Sequence, residues 1–127
     1  MVSMGRTKVL CAASFEKERI PPFCEEKKIG WLSGEYSFLP MAGGTRTPRQ
    51  RSTSAGRTKE ISRLIGRSLR AAVDLEKLWK NTVFVDCDVI EADGGTRTAS
   101  INGGFVAMCL LFEELYRKKI IDTIPLK

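Results

Sequence analysis

Histidine is absent from the whole chain. That removes His general bases, Ser-His-Asp and Cys-His arrangements, and His metal ligands from the chemistry the chain can carry. Cysteine is sparse, and Cys11, Cys24, Cys87 and Cys109 never fall into a CxxC spacing. Reduced cytosolic thiols are therefore a better reading than a disulfide framework or a zinc site. No apolar run approaches the roughly 18 residues of a membrane span. The opening MVSMGRTKVLCAAS lacks the basic, apolar and cleavage regions of a signal peptide. A cytoplasmic protein is expected. Acid is short relative to base: 15 Asp and Glu against 21 Lys and Arg give a net charge of +6. That balance suits a polyanionic partner without establishing one.

What is present concentrates in Glu91–Ala107 (EADGGTRTASINGGFVA), directly after the strand-like run Thr82–Ile90 (TVFVDCDVI). A strand, a glycine turn, a Thr-Arg pair and a helix start follow in succession. Gly94 and Gly95 permit a tight turn with exposed N–H groups. Thr98 or Ser100 is expected to cap the helix. The first N–H groups and the positive end of the helix dipole favour phosphate or carboxylate. Arg97 adds a planar fork suited to phosphate oxygens. The alternative is an ordinary glycine-capped helix with Arg97 solvated. The same GGTRT string occurs at Gly43–Thr47, but far ahead of any expected helix, where it lacks the geometry of a strong anion site.

Alternation and spacing give the remaining elements. Met1–Ser14 reads as a strand, or as two joined at Gly5-Arg6, with Val9, Cys11 and Ala13 on one face. Phe15–Ile29, with Pro21-Pro22, reads as a loop, and Gly30–Pro40 as a strand packed through Trp31 and Tyr36. Met41–Gly56 is a Gly-, Ser-, Thr- and Arg-rich loop. Between Met41 and Arg70 seven arginines and one lysine face a single acid, Glu60. Such a loop either holds an RNA backbone or is simply solvated. Thr58–Leu78 is expected to be an amphipathic helix with an apolar stripe at Ile61, Leu64, Ile65, Leu69, Ala72 and Val73. Arg63, Arg67 and Arg70 lie mostly off the stripe, Arg70 within reach of Asp74. Arg57 sits at the helix's positive end. A second helix, about Ala99–Lys118, has a broad apolar face of Ile101, Phe105, Met108, Leu111, Phe112 and Leu115. Gly103 and Gly104 suggest close approach of another backbone or a weak first turn. The tail Ile120–Lys127 carries no identifiable chemistry.

Several of these stretches together resemble one family. GRTKEISRLIGRSLRAAVDL (Gly56–Leu75), DCDVIEADGGTRTASINGGFVA (Asp86–Ala107), TKVLCAAS (Thr7–Ser14), IPPF (Ile20–Phe23) and GWLSGEYSFLP (Gly30–Pro40) are similar, in order and over nearly the whole chain, to bacterial ribonuclease PH. The resemblance implies an α+β fold, a mixed sheet packed by two helices, of the ribosomal protein S5 domain 2-like type. It also implies a tRNA nucleotidyltransferase: a phosphorolytic 3′-to-5′ exoribonuclease that trims tRNA precursors and releases nucleoside diphosphates. Inorganic phosphate is then the co-substrate, held by Arg57, Gly95, Thr96 and Arg97. The implied RNA contacts are Arg46, Arg49 and Arg51. The absence of histidine is compatible with this, since phosphate is itself the nucleophile and the protein has mainly to position it and neutralise charge.

Family members are longer at both ends, so residues 1–127 correspond to a partial domain without the N-terminal segment and the C-terminal half. The aspartates that the family assigns to metal and catalysis lie in that half. Mg2+ is expected as a cofactor, but no metal ligand is expected within this chain. Asp86, Asp88 and Asp93 are expected to bond to backbone or arginines instead. A half-domain of this kind is expected to leave sheet edges and apolar helix faces uncovered, and to be poorly stable alone or completed by a partner or second copy. The resemblance implies a hexameric ring of dimers. The competing expectation is a non-catalytic RNA-binding scaffold or a subunit that needs a complementing chain. A nucleotide-binding module is weaker, because no GxxxxGK[ST] or GxGxxG pattern occurs.

Overall fold

The alternation of the Thr7–Glu16 and Thr82–Glu91 stretches produces two long strands that pair antiparallel, Val9 opposite Val89, Cys11 opposite Cys87 and Ala13 opposite Val85. In this computed structural model, which describes residues 1–49 and 56–127, they are β2 (Thr7–Glu16) and β4 (Thr82–Glu91). β1 (Val2–Met4) folds back on β2 through Gly5, whose φ of 62° a glycine adopts without strain. β3 (Trp31–Phe38) lies parallel to β4 on its other edge, giving the order β1-β2-β4-β3. Val83, Val85, Cys87 and Val89 are buried, whereas Asp86 and Asp88 between them are exposed, as a period of two requires.

Two long helices cover the buried face. The helix α2, described over Gly56–Arg70, carries the chain from β3 to β4 and packs on β3. The helix α3 (Thr96–Arg117) packs across β2 and β4. The expected mixed α+β sheet with two packing helices is what forms. Phe15–Ile29 is not all loop, because Pro22–Lys27 forms a short helix, α1. Pro22 stands in its first turn, where a missing N–H costs nothing. The helix expected over Thr58–Leu78 ends eight residues earlier, at Arg70. Val73 leaves it to bridge Leu126, and the tail binds back through Asp74 N–H to the Pro125 carbonyl (2.8 Å) and Lys127 N–H to the Ala72 carbonyl (3.0 Å). The turn Leu75–Leu78 then starts from Asp74, whose carboxylate accepts the Glu76 N–H at 3.2 Å.

Arg70 does not pair with Asp74. It donates to the Leu32 carbonyl at 2.8 Å and lies 4.4 Å from the centre of the Trp31 ring. Asp74 meets Lys77 instead, at 4.0 Å. Ser62 accepts the Tyr36 N–H at 2.9 Å. These two side chains of α2 engage backbone groups of β3, so this sheet edge is not left open as expected. The approach is close because both elements carry glycine there. A Cβ on Gly34 would meet Gly66 N at 2.8 Å and Ile65 Cγ2 at 2.9 Å. Gly103 and Gly104 play the same part on α3, but the groups that press on them are side chains, Cys11 and Val2 on one, Val85 and Leu69 on the other.

The core lies between sheet and helices and includes Leu32, Ile61, Ile65, Leu69, Val83, Val85, Met108 and Phe112, all essentially inaccessible. α3 is apolar on its other side too. Val106 and Leu110 remain 59% and 60% exposed. Replacing Gly34 by Val is expected to cost about 1–3 kcal/mol through overpacking and to lower the urea midpoint at constant slope. An unchanged midpoint would mean that α2 can step away from β3.

Candidate anion-binding site

β4 ends at Glu91, and the chain turns into α3 through Gly94 (φ 81°) and Gly95 (φ 71°), both left-handed. Gly95 is itself the N-cap of α3, and no side chain caps the helix. The expected caps, Thr98 and Ser100, lie inside the helix instead, because two left-handed glycines start it three residues earlier than Ala99. The first backbone bond of the helix runs from Ala99 N–H to the Gly95 carbonyl at 2.9 Å. The N–H groups of Thr96, Arg97 and Thr98 precede it and belong to the open end of the helix dipole.

A cleft of about 310 Å³ sits at this helix end. Arg57, Gly94, Gly95 and Thr96 line it, with Tyr36 and Phe38 from β3 and Gly43 and Thr47 from the loop that follows. Three of the four residues expected to hold phosphate, Arg57, Gly95 and Thr96, are thus brought together. Arg97 is not in the lining. Its guanidinium lies 3.7 Å from the Glu60 carboxylate, in an ion pair about half exposed on both sides. Arg57 falls within α2 rather than before it. The first GGTRT copy, expected to lie far ahead of any helix, is followed two residues later by helical Arg49, and through Gly43 and Thr47 it reaches the same cleft. The Ala92 N–H donates to the Ala42 carbonyl at 2.9 Å and pins the Met41–Gly44 turn to the end of β4.

Two residues of the site carried no signal of their own in sequence. Thr7, fully buried at the start of β2, donates to the Gly94 carbonyl at 2.6 Å and accepts the Asp93 N–H at 2.8 Å. It clamps the glycine turn to the sheet. Tyr36, expected only to pack, also donates its hydroxyl to Thr96 Oγ1 at 3.2 Å. A threonine 87 positions from its partner and a tyrosine in a strand reveal such roles only once the strands are paired.

Of the residues expected to contact RNA, Arg46 and Arg49 are exposed and lie outside the cleft lining, and Arg51 lies outside the described residues. Among the described residues no three of Asp, Glu and Cys gather where they could hold a metal ion. Asp88 is engaged by the Ser37 hydroxyl at 2.6 Å, a side chain rather than the expected backbone or arginine. Burial and then the neighbouring Asp88 raise the Asp86 carboxyl above its ordinary range. These residues do not fit a divalent cation.

The model of the 3′ exoribonuclease family, domain 1, matches residues 1–111. The chain belongs to the ribonuclease PH family. It is 54% identical over 129 aligned positions to a ribonuclease PH of Bacillus mycoides and 53% identical to one of Bacillus cereus, covering all of this chain and 52% of each relative. It therefore spans about half the length of the curated relatives it matches. Among solved structures it resembles the Archaeoglobus fulgidus exosome with RNA bound to the active site (TM-score 0.71, 24% identity, 84% of this chain and 43% of that one). It also resembles an archaeal exosome core (TM-score 0.61, 22% identity, 84% and 40%). At these identities the likeness is one of fold. Among the described residues no helix is long and apolar enough to cross a membrane.

Thr7→Val keeps the shape and removes both bonds to the glycine turn. It is expected to cost about 1–3 kcal/mol, the penalty for buried polar groups left unpaired, while Thr7→Ser costs markedly less. Thermal melts of the two variants test this, and equal melts would show that the turn holds without the clamp.

Proposed function

We propose that this chain supplies the phosphate-binding half of a phosphorolytic 3′-to-5′ exoribonuclease acting on tRNA precursors. The observation that carries the reading is the uncapped N-terminus of α3, opened by two left-handed glycines into a cleft that Arg57 also lines. Backbone N–H groups, a helix dipole and a guanidinium converge there on a site suited to inorganic phosphate. Because Tyr36 donates to Thr96 Oγ1, the threonine's own proton is left to donate to a phosphate oxygen. Arg97 reaches the anion by leaving Glu60, an exposed pair whose loss costs little.

In the reaction an oxygen of the bound phosphate attacks the phosphorus of the last phosphodiester. The bond from that phosphorus to the 3′ oxygen of the preceding nucleotide breaks. The products are a nucleoside diphosphate and an RNA one residue shorter that ends in a 3′ hydroxyl. The chain's contribution is to hold the nucleophile and offset the crowding of negative charge. Arg46, Arg49 and Arg51 follow the RNA backbone. The family's Mg2+ is held outside the residues described. Assembly as a hexameric ring of dimers in the cytoplasm completes the proposal. The second reading, an incomplete subunit or non-catalytic RNA scaffold, is favoured by the exposed Val106 and Leu110 on α3 and by the lack of a carboxylate cluster among the described residues.

Incubating the chain with an RNA bearing an unpaired 3′ tail and Mg2+, with and without phosphate, separates the two. Nucleoside diphosphates released only with phosphate support the enzyme. Intact RNA bound with a steep salt dependence supports the scaffold. Arg57→Ala is expected to weaken phosphate binding about 10- to 100-fold, from the loss of a charged hydrogen bond worth about 1.5–3 kcal/mol. Arg97→Ala is expected to abolish phosphate binding yet spare most RNA affinity; equal loss of both would assign Arg97 to the RNA backbone. Glu60→Gln, which frees Arg97, is expected to tighten phosphate by up to about fivefold, within the range of an exposed ion pair. Calorimetric titration with phosphate reads all three, and a parallel RNA titration reads the RNA affinity of Arg97→Ala.

A further inference from the structure

Cys11 and Cys87 stand directly opposite each other in the antiparallel β2–β4 register. Both side chains face α3, where the two thiols address the same acceptor, the Ser100 carbonyl, at 4.0 and 3.6 Å. Opposite residues of an antiparallel pair have Cα atoms about 4.5 or 5.5 Å apart. Either spacing lies within the roughly 4.4–6.8 Å that a disulfide spans, so a bond needs no movement of the strands.

The two sulfurs differ in access and acidity. Cys87 is 1% exposed. Cys11 is half-buried and lines a groove of about 210 Å³ with Val2, Gly103, Val106 and Leu110. The neighbouring Cys87 thiol lowers the Cys11 thiol below its ordinary value although burial opposes this. Cys87, hydrogen-bonded and buried, is held far above its own. The other cysteines lack this arrangement: Cys24 in α1 and Cys109 on α3 are both pushed up by burial. A thiol that ionises more readily and can be reached, next to a buried partner, is the pattern of an attacking and a resolving cysteine.

We propose that Cys11 and Cys87 form a redox-active pair that a hydroperoxide converts to a cross-strand disulfide. The Cys11 thiolate attacks the peroxide's terminal oxygen, the O–O bond breaks, and the departing alkoxide or hydroxide takes up a proton. Cys11 is then a sulfenic acid. The Cys87 sulfur attacks the Cys11 sulfur, the S–O bond breaks, and the leaving hydroxide combines with the Cys87 proton as water. Two thiols are oxidised and one peroxide is reduced; a dithiol reverses the change. Oxidation removes both S–H donors from Ser100, one turn beyond Thr96. The Ser100 hydroxyl is itself buried without a partner among the described residues.

The test is independent of RNA and phosphate. The chain is treated with stoichiometric hydrogen peroxide, its remaining thiols are alkylated, and it is digested without reduction for mass spectrometry. The expected result is a Cys11–Cys87 peptide pair that dithiothreitol dissolves, with Cys24 and Cys109 alkylated. Cys87→Ser is expected to stop at a Cys11 sulfenic acid, trapped by dimedone. Cys11→Ser is expected to give neither the link nor an adduct at Cys87. Both thiols remaining alkylatable in the unsubstituted chain, a Cys11 sulfinic acid without the link, or a link to another cysteine would each overturn the proposal. The unsubstituted chain decides the matter even if a variant fails to fold.

Discussion

Strand β4 is paired on both edges, antiparallel to β2 and parallel to β3, and this double pairing fixes where every other element goes. It sets which face of the sheet is buried, because Val83, Val85, Cys87 and Val89 all point the same way. It places the far end of β4 beside the start of β2, so that Thr7 can reach the glycine turn. It also brings the end of β3 alongside, so that Tyr36 meets Thr96. Without those two neighbours the glycines would form a turn of no fixed direction. With them, the helix that follows is aimed, and the cleft exists.

The charge at the site is held in reserve rather than buried. Arg97 is paired with Glu60 at the surface, where such a contact contributes at most about 1 kcal/mol, whereas Arg57 lines the cleft. In the proposed phosphate site an anion would meet one guanidinium and a helix end already in place, and a second guanidinium that has only a weak bond to break. Exposed basic residues of the Met41–Arg49 stretch add long-range attraction for a polyanion without a fixed geometry.

Cohesion is uneven across the molecule. β3 and α2 are in near backbone contact through Gly34 and Gly66, and Arg70 and Ser62 engage the strand's outer polar groups. On α3, by contrast, both sides are apolar and only one has the sheet against it. Val106 and Leu110 face outward beside the groove that leads to Cys11. An apolar helix side left uncovered in this way is where α3 is least anchored.

Much of this was legible beforehand. Alternation located the described strands, since a half-buried pleated strand imposes a period of two. The glycine pair and the following helix marked the turn that opens on the cleft with Arg57, whereas the pairing of Arg97 with Glu60 carried no signal in sequence. The misreadings have physical causes. Pro21-Pro22 has the signature of a loop, yet the first helical turn accepts proline. The stripe from Ile61 to Val73 kept helical spacing past Arg70, where Val73 had been captured by Leu126. α3 starts earlier than its side chains suggest because Gly95 caps it through its backbone, with no side-chain signature. What the sequence alone determined is local: which segments can be strands or helices, and which turn can present bare N–H groups to an anion. Only the tertiary structure decided that Thr7 would clamp that turn, that both GGTRT copies would border one cleft, that Arg97 would rest on Glu60, and that Cys11 would face Cys87. Each of those depends on distance through space between residues remote in the chain, which strand pairing and helix packing set and no local pattern encodes.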